Sequence, residues 1–128
     1  MSQQSDTGER ITEAEHAVME ALWTRSPLTA NEVADAVGPA RGWGLATVKT
    51  LLSRLVAKQA VATAPQGKRF LYSPLVARGD YLGGESRRLV ERLFGGSAAG
   101  LFAQLAESEA LSDADLAEIE TLLNELRK

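Results

Sequence analysis

The sequence predicts a mainly α (α+β) fold, with a winged helix-turn-helix domain followed by a small all-helical dimerisation domain. Two observations predict it: three amphipathic helical segments precede a short hairpin, and the rest of the chain carries only helical apolar patterns. We expect a disordered tail over residues 1–10, the winged domain over 11–76 and the dimerisation domain over 77–128. A chain of 128 residues can bury a core of its own in such a layout.

The first two helices each begin with a Thr-x-x-Glu capping box, at Thr12 and at Thr29. In such a box the side chain of each partner satisfies a backbone N–H of the other, so the helix start is fixed locally. Ser26–Pro27 is predicted to end the first helix. We expect the second helix to be short and to end near Val37, because Gly38–Pro39 follows it.

The third helix follows the loop Pro39–Gly44 and is amphipathic. Its apolar stripe has the spacing of one helix face and consists of Val48, Leu51, Leu52, Leu55 and Val56. The opposite face carries small and polar side chains, namely Ala46, Thr50, Ser53, Arg54 and Ala57. Two short strands, Val61–Ala64 and Arg69–Ser73, are predicted to form a hairpin whose turn, residues 65–68, has a basic tip.

Helical patterns continue in the last third of the chain. A helix is predicted from Arg78 to Phe94, although Gly83–Gly84 weakens its first turns, and Gly95–Gly96 breaks it. A short helix around residues 101–105 follows. Ser112 is the predicted N-cap of the last helix, whose apolar stripe consists of Leu116, Ile119, Leu122, Leu123 and Leu126.

The composition argues against several classes of function. With no cysteine and one histidine, His16, the chain offers no disulfide, no thiolate metal site and no nucleophile–base pair. We therefore expect no enzyme, no metal and no cofactor. We interpret Trp23 as a core residue, whereas Trp43 either packs against the core, which we favour, or touches the sugar–phosphate backbone. Because no apolar run could span a membrane and the first ten residues are polar, we expect a cytoplasmic protein without membrane insertion.

Charge is distributed unevenly around the net value of −3. Residues 1–80 carry nine basic and eight acidic side chains, whereas residues 81–128 carry five basic and nine acidic ones. Residues 36–79 contain no acidic residue but seven basic ones, which are Arg41, Lys49, Arg54, Lys58, Lys68, Arg69 and Arg78. Such a long stretch without carboxylates indicates that one face of the protein is kept positive.

The combination of this charge with the third helix favours DNA binding. Short side chains let a helix approach base edges in the major groove, and Arg54 can pair with guanine O6 and N7. The capped start of the second helix suits a phosphate, while Lys68 and Arg69 at the hairpin tip can reach the neighbouring backbone or the minor groove. The alternative is a winged-helix protein–protein interaction module without sequence-specific DNA binding.

The last three helices each carry one apolar stripe, and about 50 residues can barely close a core alone. We expect them to pack on a second copy of the chain through Leu89, Leu93, Leu101, Phe102, Leu105, Leu116, Ile119 and Leu123. An isologous dimer would place two recognition helices roughly 34–36 Å apart on palindromic DNA. The alternative is that these helices fold back on the winged domain of their own chain.

Four stretches carry a family resemblance: residues 12–23 (TEAEHAVMEALW), 29–32 (TANE), 43–58 (WGLATVKTLLSRLVAK) and 72–75 (YSPL). They are similar to the penicillinase-repressor (BlaI/MecI/CopY) family of bacterial regulators. The T-V-K-T-L-x-x-R-L-x-x-K core is fairly specific, and the resemblance covers nearly all of residues 11–128. It implies a homodimeric winged-helix repressor that binds a palindromic operator and is released by an inducing signal.

Carried over by position, the resemblance implies which residues contact DNA. The base-reading helix corresponds to Ala46–Lys58, the start of the second helix faces phosphate, and the hairpin is the wing. The implied DNA-binding residues are Thr29, Asn31, Ala46, Thr47, Lys49, Thr50, Arg54, Lys58, Lys68 and Arg69. Ala46 stands where some members have Lys, and Gln59 stands where a helix-ending Gly is usual, which costs about 1 kcal/mol for a left-handed residue.

The inducing signals of the family have no close counterpart in this sequence. The copper-responsive branch senses metal through C-terminal cysteines, and this chain has none. In the β-lactam branch a membrane sensor protease cuts the dimerisation part near an Asn–Phe pair. The resemblance implies Gln104 and Leu105 as the equivalent cleavage position and such a protease as a partner, but the departure from Asn–Phe leaves the inducing signal open.

Overall fold

The structure, a computed structural model, describes residues 10–128. Its elements are α1 (Glu13–Thr24), β1 (Leu28–Thr29), α2 (Ala30–Arg41), α3 (Leu45–Ala57), β2 (Val61–Gln66), β3 (Arg69–Pro74), α4 (Arg78–Phe94), α5 (Ala98–Glu107) and α6 (Asp113–Leu126). This order confirms the predicted α+β class and the winged helix-turn-helix arrangement. The tail predicted over residues 1–10 lies outside the described residues, except for Arg10.

Capping boxes begin α1, α2 and α6, as the sequence predicts. In α1 the Thr12 N–H donates to the Glu15 carboxylate at 2.9 Å, and the Glu15 N–H donates to the Thr12 hydroxyl at 3.1 Å. At the start of α6 the Asp115 N–H donates to the Ser112 hydroxyl at 3.0 Å. Each box satisfies two N–H groups that a helix start leaves unpaired, so residues three positions apart fix these starts.

The end of α2 differs from the prediction. The helix continues through Gly38–Pro39 and ends at Arg41, followed by Gly42 with a left-handed φ of 71°. Pro39 lies in the last turn, where its missing N–H removes only one helical hydrogen bond. The Gly42 N–H donates to the Gly38 carbonyl at 2.7 Å, so Gly42 is the residue that stops the helix.

The hairpin is confirmed, but its strands are longer than predicted. Strands β2 and β3 pair antiparallel up to Gln66 and Arg69, which leaves Gly67 and Lys68 as the turn, with a φ of 61° at Gly67. The sequence analysis also missed β1, which pairs antiparallel with β3 and makes the sheet order β1-β3-β2. A strand of two residues has no periodicity that a sequence pattern could show.

The core of the winged unit lies between α1, α2, α3 and the sheet. Trp23 and Trp43 are half-buried against this core, as predicted, and the Trp23 indole N–H donates to the Val76 carbonyl at 2.8 Å. His16 is half-buried and its ring stacks on Tyr81 with 5.6 Å between centroids. The apolar side chains with essentially no exposure are Val18, Met19, Leu22, Val33, Val48, Leu52, Leu55 and Val61.

Two compact units divide the chain, one up to Tyr81 and the other from Leu82 to Lys128. The functional boundary expected after residue 76 stays a prediction. In the second unit α4 continues through Gly83–Gly84, and Gly95 and Gly96 end it with φ values of 57° and 91°. No residue of α4, α5 or α6 is buried. Between residues 10 and 128, no helix combines the length and the apolar character that crossing a bilayer requires.

Candidate DNA interface

The two faces of α3 separate as the sequence predicts. Its apolar stripe is buried, and Val48, Leu52 and Leu55 have no exposed surface. The opposite side is exposed and carries Ala46, Thr47, Lys49, Thr50, Ser53, Arg54 and Ala57. The α3 helix therefore has a core-facing side that holds it in place and a polar side that is open to a partner.

The hydroxyl groups on this polar side are short and partly oriented. The Thr50 hydroxyl donates to the Ala46 carbonyl one turn earlier, at 3.1 Å, which leaves its oxygen as an acceptor and its methyl group exposed. The first turn of α3 contains no acidic residue, and its N-cap, Gly44, has no side chain that could occupy the N–H groups. Nothing in the helix start therefore repels an anion.

Residues from three elements meet at one hollow of about 230 Å³. The start of α2 supplies Asn31, α3 supplies Lys49, and the wing supplies Lys68 and Arg69. These residues are far apart in sequence but were all predicted to bind DNA. Thr29 lines the same hollow, so the structure brings five of the predicted residues to one concave, positively charged place.

Phe70 and Tyr72 of β3 line the same hollow, and the sequence analysis did not assign them to the site. Phe70 is 54% exposed, although its neighbour Leu71 is half-buried. The available signal was an aromatic residue directly after Lys68 and Arg69 in a predicted strand. The sequence does not show on which face of the strand this aromatic side chain lies, because that depends on the pairing register of the wing.

Thr29 caps α2, as its capping box predicts, and it also lines the hollow. It is only 6% exposed, and its hydroxyl accepts a hydrogen bond from the Glu32 N–H at 3.2 Å. Thr29 is therefore the buried N-cap of α2, and its contact with phosphate stays a prediction. The backbone hydrogen bond from Thr29, together with the charges of Arg25 and Arg69, lowers the pKa of Glu32, so a carboxylate stands beside the positive hollow.

Lys58 is not part of the open surface. Its ammonium group lies 2.7 Å from the Glu15 carboxylate and 2.8 Å from the Arg10 carbonyl, and its side chain is only 15% exposed. Burial raises the pKa of Glu15, but the hydrogen bonds from Lys58 and Thr12 and the charge of Lys58 hold it below the ordinary value of 4.5. The expectation that Lys58 contacts DNA is therefore corrected: Lys58 neutralises a buried carboxylate.

Two further cations of the acid-free stretch are occupied within the winged unit. The Arg78 guanidinium donates to the Glu20 carboxylate at 2.9 Å, and this hydrogen bond lowers the pKa of Glu20. The Arg41 guanidinium lies 5.2 Å from the centre of the Trp43 ring. In the part of the chain that the structure describes, the remaining four cations have no carboxylate within 4.0 Å: Lys49, Arg54, Lys68 and Arg69.

The expected dimerisation residues lie on helices that expose large apolar side chains. Leu93, Phe102, Leu116 and Leu123 are 40–56% exposed, and the other four are half-buried. A groove of about 480 Å³ between α5 and α6 is lined by Phe102, Leu116, Ala117, Ile119, Glu120 and Leu123. Of the residues implied for cleavage, Gln104 is exposed and Leu105 is half-buried, and both lie inside α5.

Comparison with known proteins places the chain in a family. The family profile described as penicillinase repressor matches residues 11–125. The penicillinase repressor of Bacillus licheniformis is 28% identical over 116 residues, which cover 91% of each chain. The solution structure of the DNA-binding domain of the repressor BlaI is similar with a TM-score of 0.52 and 33% identity, over 56% of this chain and 88% of that one.

A second similar solved structure contains DNA bound to the relative. It is the monomeric form of Bacillus licheniformis BlaI in complex with the blaP half-operator, with a TM-score of 0.50 and 33% identity over 57% of this chain and 89% of that one. These matches concern repressors and not enzymes. The chain therefore belongs to the penicillinase repressor family of DNA-binding transcriptional repressors.

Proposed function

We propose that two copies of this chain bind a palindromic operator, each with α3 in the major groove. The observation that carries this proposal is the exposed polar side of α3, which joins short side chains to Lys49 and Arg54 while the opposite side is locked in the core. Short side chains permit close approach to base edges, and Arg54 supplies a bidentate donor for guanine. Thr47 and Thr50 offer hydroxyl and methyl groups to neighbouring bases.

The hollow next to α3 is proposed to hold the phosphate backbone. It is lined by Asn31 and by three cations, Lys49, Lys68 and Arg69. Among the described residues, none of the three cations has a carboxylate within 4.0 Å. Phosphate contacts fix the register of a protein on the duplex, so this hollow would set how α3 enters the groove. The half-operator bound by the similar BlaI protein supports DNA as the ligand of this unit.

The second unit is proposed to join the two protomers. Its helices contain no buried residue, and they expose Leu116, Leu123 and Phe102 around one groove. A second copy of the same helices would cover these side chains and give the unit a core. The bacterial operator lies in the cytoplasm, which is therefore the proposed location of the protein.

Release from the operator is proposed to follow proteolysis of the second unit by a membrane sensor protease. The implied bond, Gln104–Leu105, lies within α5, so that α5 must unwind locally before a protease can bind it in extended form. Mass spectrometry of the chain from cells treated with a β-lactam would test this step. A fragment ending at Gln104 supports the proposal, and an intact chain on a derepressed operator contradicts it.

DNA selected from a random pool by the full chain tests the main proposal. We expect palindromic sequences and binding whose logarithm falls by about 0.9 per neutralised phosphate as the logarithm of the salt concentration rises. Arg54→Ala should cost about 1–3 kcal/mol and relax specificity at one base pair. Arg92→Ala on α4 is the matched control. Recovery of stable protein complexes but no discrete DNA complex would instead favour an interaction module.

A further inference from the structure

Phe70 combines two properties that the binding of phosphate does not explain. Phe70 is 54% exposed, and it lines a hollow that it shares with Tyr72 and with the cations Lys49, Lys68 and Arg69, among other residues. Ammonium and guanidinium groups are sufficient to bind phosphate, and an apolar ring adds nothing to that attraction. The hollow therefore has an apolar wall in addition to its charge.

The neighbouring cations do not use the face of this ring. Within the described residues, the recorded contact between a cation and an aromatic ring is Arg41 over Trp43, on another part of the winged unit. About half of the surface of Phe70 is therefore exposed to water in the unbound protein, which is unfavourable for an apolar side chain. A ligand that covers the ring would recover this free energy.

We propose that Phe70 packs against a deoxyribose of the same DNA strand whose phosphates bind Lys49, Lys68 and Arg69. This inference rests on the proposed function and adds a residue and a chemical contact to it. A nucleic-acid backbone alternates charged phosphates with apolar sugar faces, which matches a hollow that is lined by both cations and an exposed aromatic ring. The hollow, at about 230 Å³, leaves room for a sugar–phosphate unit.

The surrounding charge argues against other partners for the ring. An apolar surface of a protein would have to remove water from Lys68 and Arg69 in order to reach Phe70, and burying such charges without counter-ions is costly. A DNA backbone supplies the counter-charge and the apolar surface together. A DNA backbone therefore both neutralises the cations and covers the ring.

Titrations of the full-length chain with a duplex selected by the wild-type protein test the inference. Phe70→Ala should weaken binding about tenfold per bound protomer, because the sugar contact is lost. The salt dependence should stay that of the wild type, because no phosphate contact changes. Lys68→Ala should instead reduce the magnitude of the salt slope by about 0.9 per protomer. Phe70→Tyr keeps the ring and should bind like the wild type.

Leu75→Ala is the matched control, because Leu75 is 60% exposed and does not line the hollow. It should leave both the affinity and the salt slope unchanged. Equal melting temperatures of the two variants and the wild type would establish that the loss at Phe70 is a loss of contact. Loss of affinity in Leu75→Ala as large as in Phe70→Ala would overturn a specific role of the ring.

Abasic nucleotides at the flanks of the selected duplex separate a sugar contact from base stacking. The difference between the wild type and Phe70→Ala should persist on abasic duplexes, and its disappearance would show that the ring contacts a base. If Phe70→Ala binds like the wild type, this inference fails while the repressor function stands. If the wild-type chain selects no DNA, the proposed function itself fails.

Discussion

Lys58 shows that the local charge pattern of a sequence does not reveal which group a basic side chain contacts in the folded protein. It belongs to a stretch of 44 residues without acids, yet its ammonium group reaches Glu15, which is 43 positions earlier in the chain. One Glu15 oxygen accepts hydrogen bonds from both Lys58 and the Thr12 N–H. The same carboxylate thus caps α1 and ties α1 to the end of α3.

Lys58→Ala is expected to destabilise the winged unit without changing the salt slope of DNA binding. Glu15 is 1% exposed, and removing its partner leaves a buried carboxylate uncompensated, at a cost of about 3 kcal/mol. Urea denaturation measures this loss. Lys49→Ala on the exposed side of α3 is the control and should change stability by less than about 0.5 kcal/mol but reduce the salt slope of DNA binding. A reduced slope in Lys58→Ala would restore Lys58 to the interface.

The Glu15 carboxylate also predicts how stability depends on pH. Since its pKa in the folded chain lies below 4.5, the unfolded chain takes up the proton more readily, and the stabilisation is complete only above that value. It is lost as the pH falls through the folded-state pKa. The free energy of unfolding should therefore decline in acid, and Glu15→Gln should flatten the decline. An unchanged decline in Glu15→Gln would assign the effect to other carboxylates such as Glu20 and Glu32, whose pKa values are also lowered.

At the scale of the elements, the sequence predicted what neighbouring residues decide. The starts of α1, α2 and α6 follow from capping boxes, and the left-handed Gln59 at the end of α3 has the expected positive φ of 64°. The stripe of α3 predicted both its buried and its exposed side. These features depend on contacts within about one helical turn, which a sequence pattern contains.

The end of α2 is decided locally by Gly42, but the other features that the sequence does not predict depend on contacts between distant elements. The strand β1 exists only because Leu28 and Thr29 meet Tyr72 and Leu71 in the sheet. The hollow at the interface likewise forms only when α2, α3 and the wing are assembled. Such pairings are set by tertiary packing, which overrides the local signals.

The turn between α2 and α3 supplies a prediction at this scale. A Cβ on Gly38 would lie 2.6 Å from the Trp43 carbonyl oxygen, so Gly38→Ala must push the turn apart and should cost about 1–3 kcal/mol. Gly84→Ala is the control, because a Cβ there meets nothing within 4 Å and alanine favours a helix by up to about 1 kcal/mol. Thermal denaturation should therefore shift in opposite directions. A stabilised Gly38→Ala would mean that the turn is not tight.

At the scale of the whole molecule, charge and apolar surface are divided between the two units. The open cations lie on α3 and the wing, whereas residues 81–128 carry nine acidic and five basic side chains and expose leucines along α6. An acidic unit is poorly suited to binding DNA, and its apolar surface is well suited to binding a copy of itself. This division is what a dimer requires if one unit joins the copies and the other contacts DNA.

Leu123→Asp tests the division, because Leu123 lines the groove between α5 and α6 and is 44% exposed. A charge buried between two copies should weaken the dimer by more than about tenfold, which sedimentation equilibrium measures as a shift towards 13.7 kDa. Thr121→Asp, an exposed change on the same helix away from the groove, should leave the dimer intact.

Operator binding by Leu123→Asp then reports how the two units cooperate. Each monomer keeps its own α3 and wing, but it loses the high effective concentration that a linked second site provides. We expect weaker binding to a full palindrome, about half the salt slope, and unchanged affinity for a half-site. A monomeric Leu123→Asp that bound the full palindrome as tightly as the wild type would show that the α5–α6 groove joins nothing that repression needs.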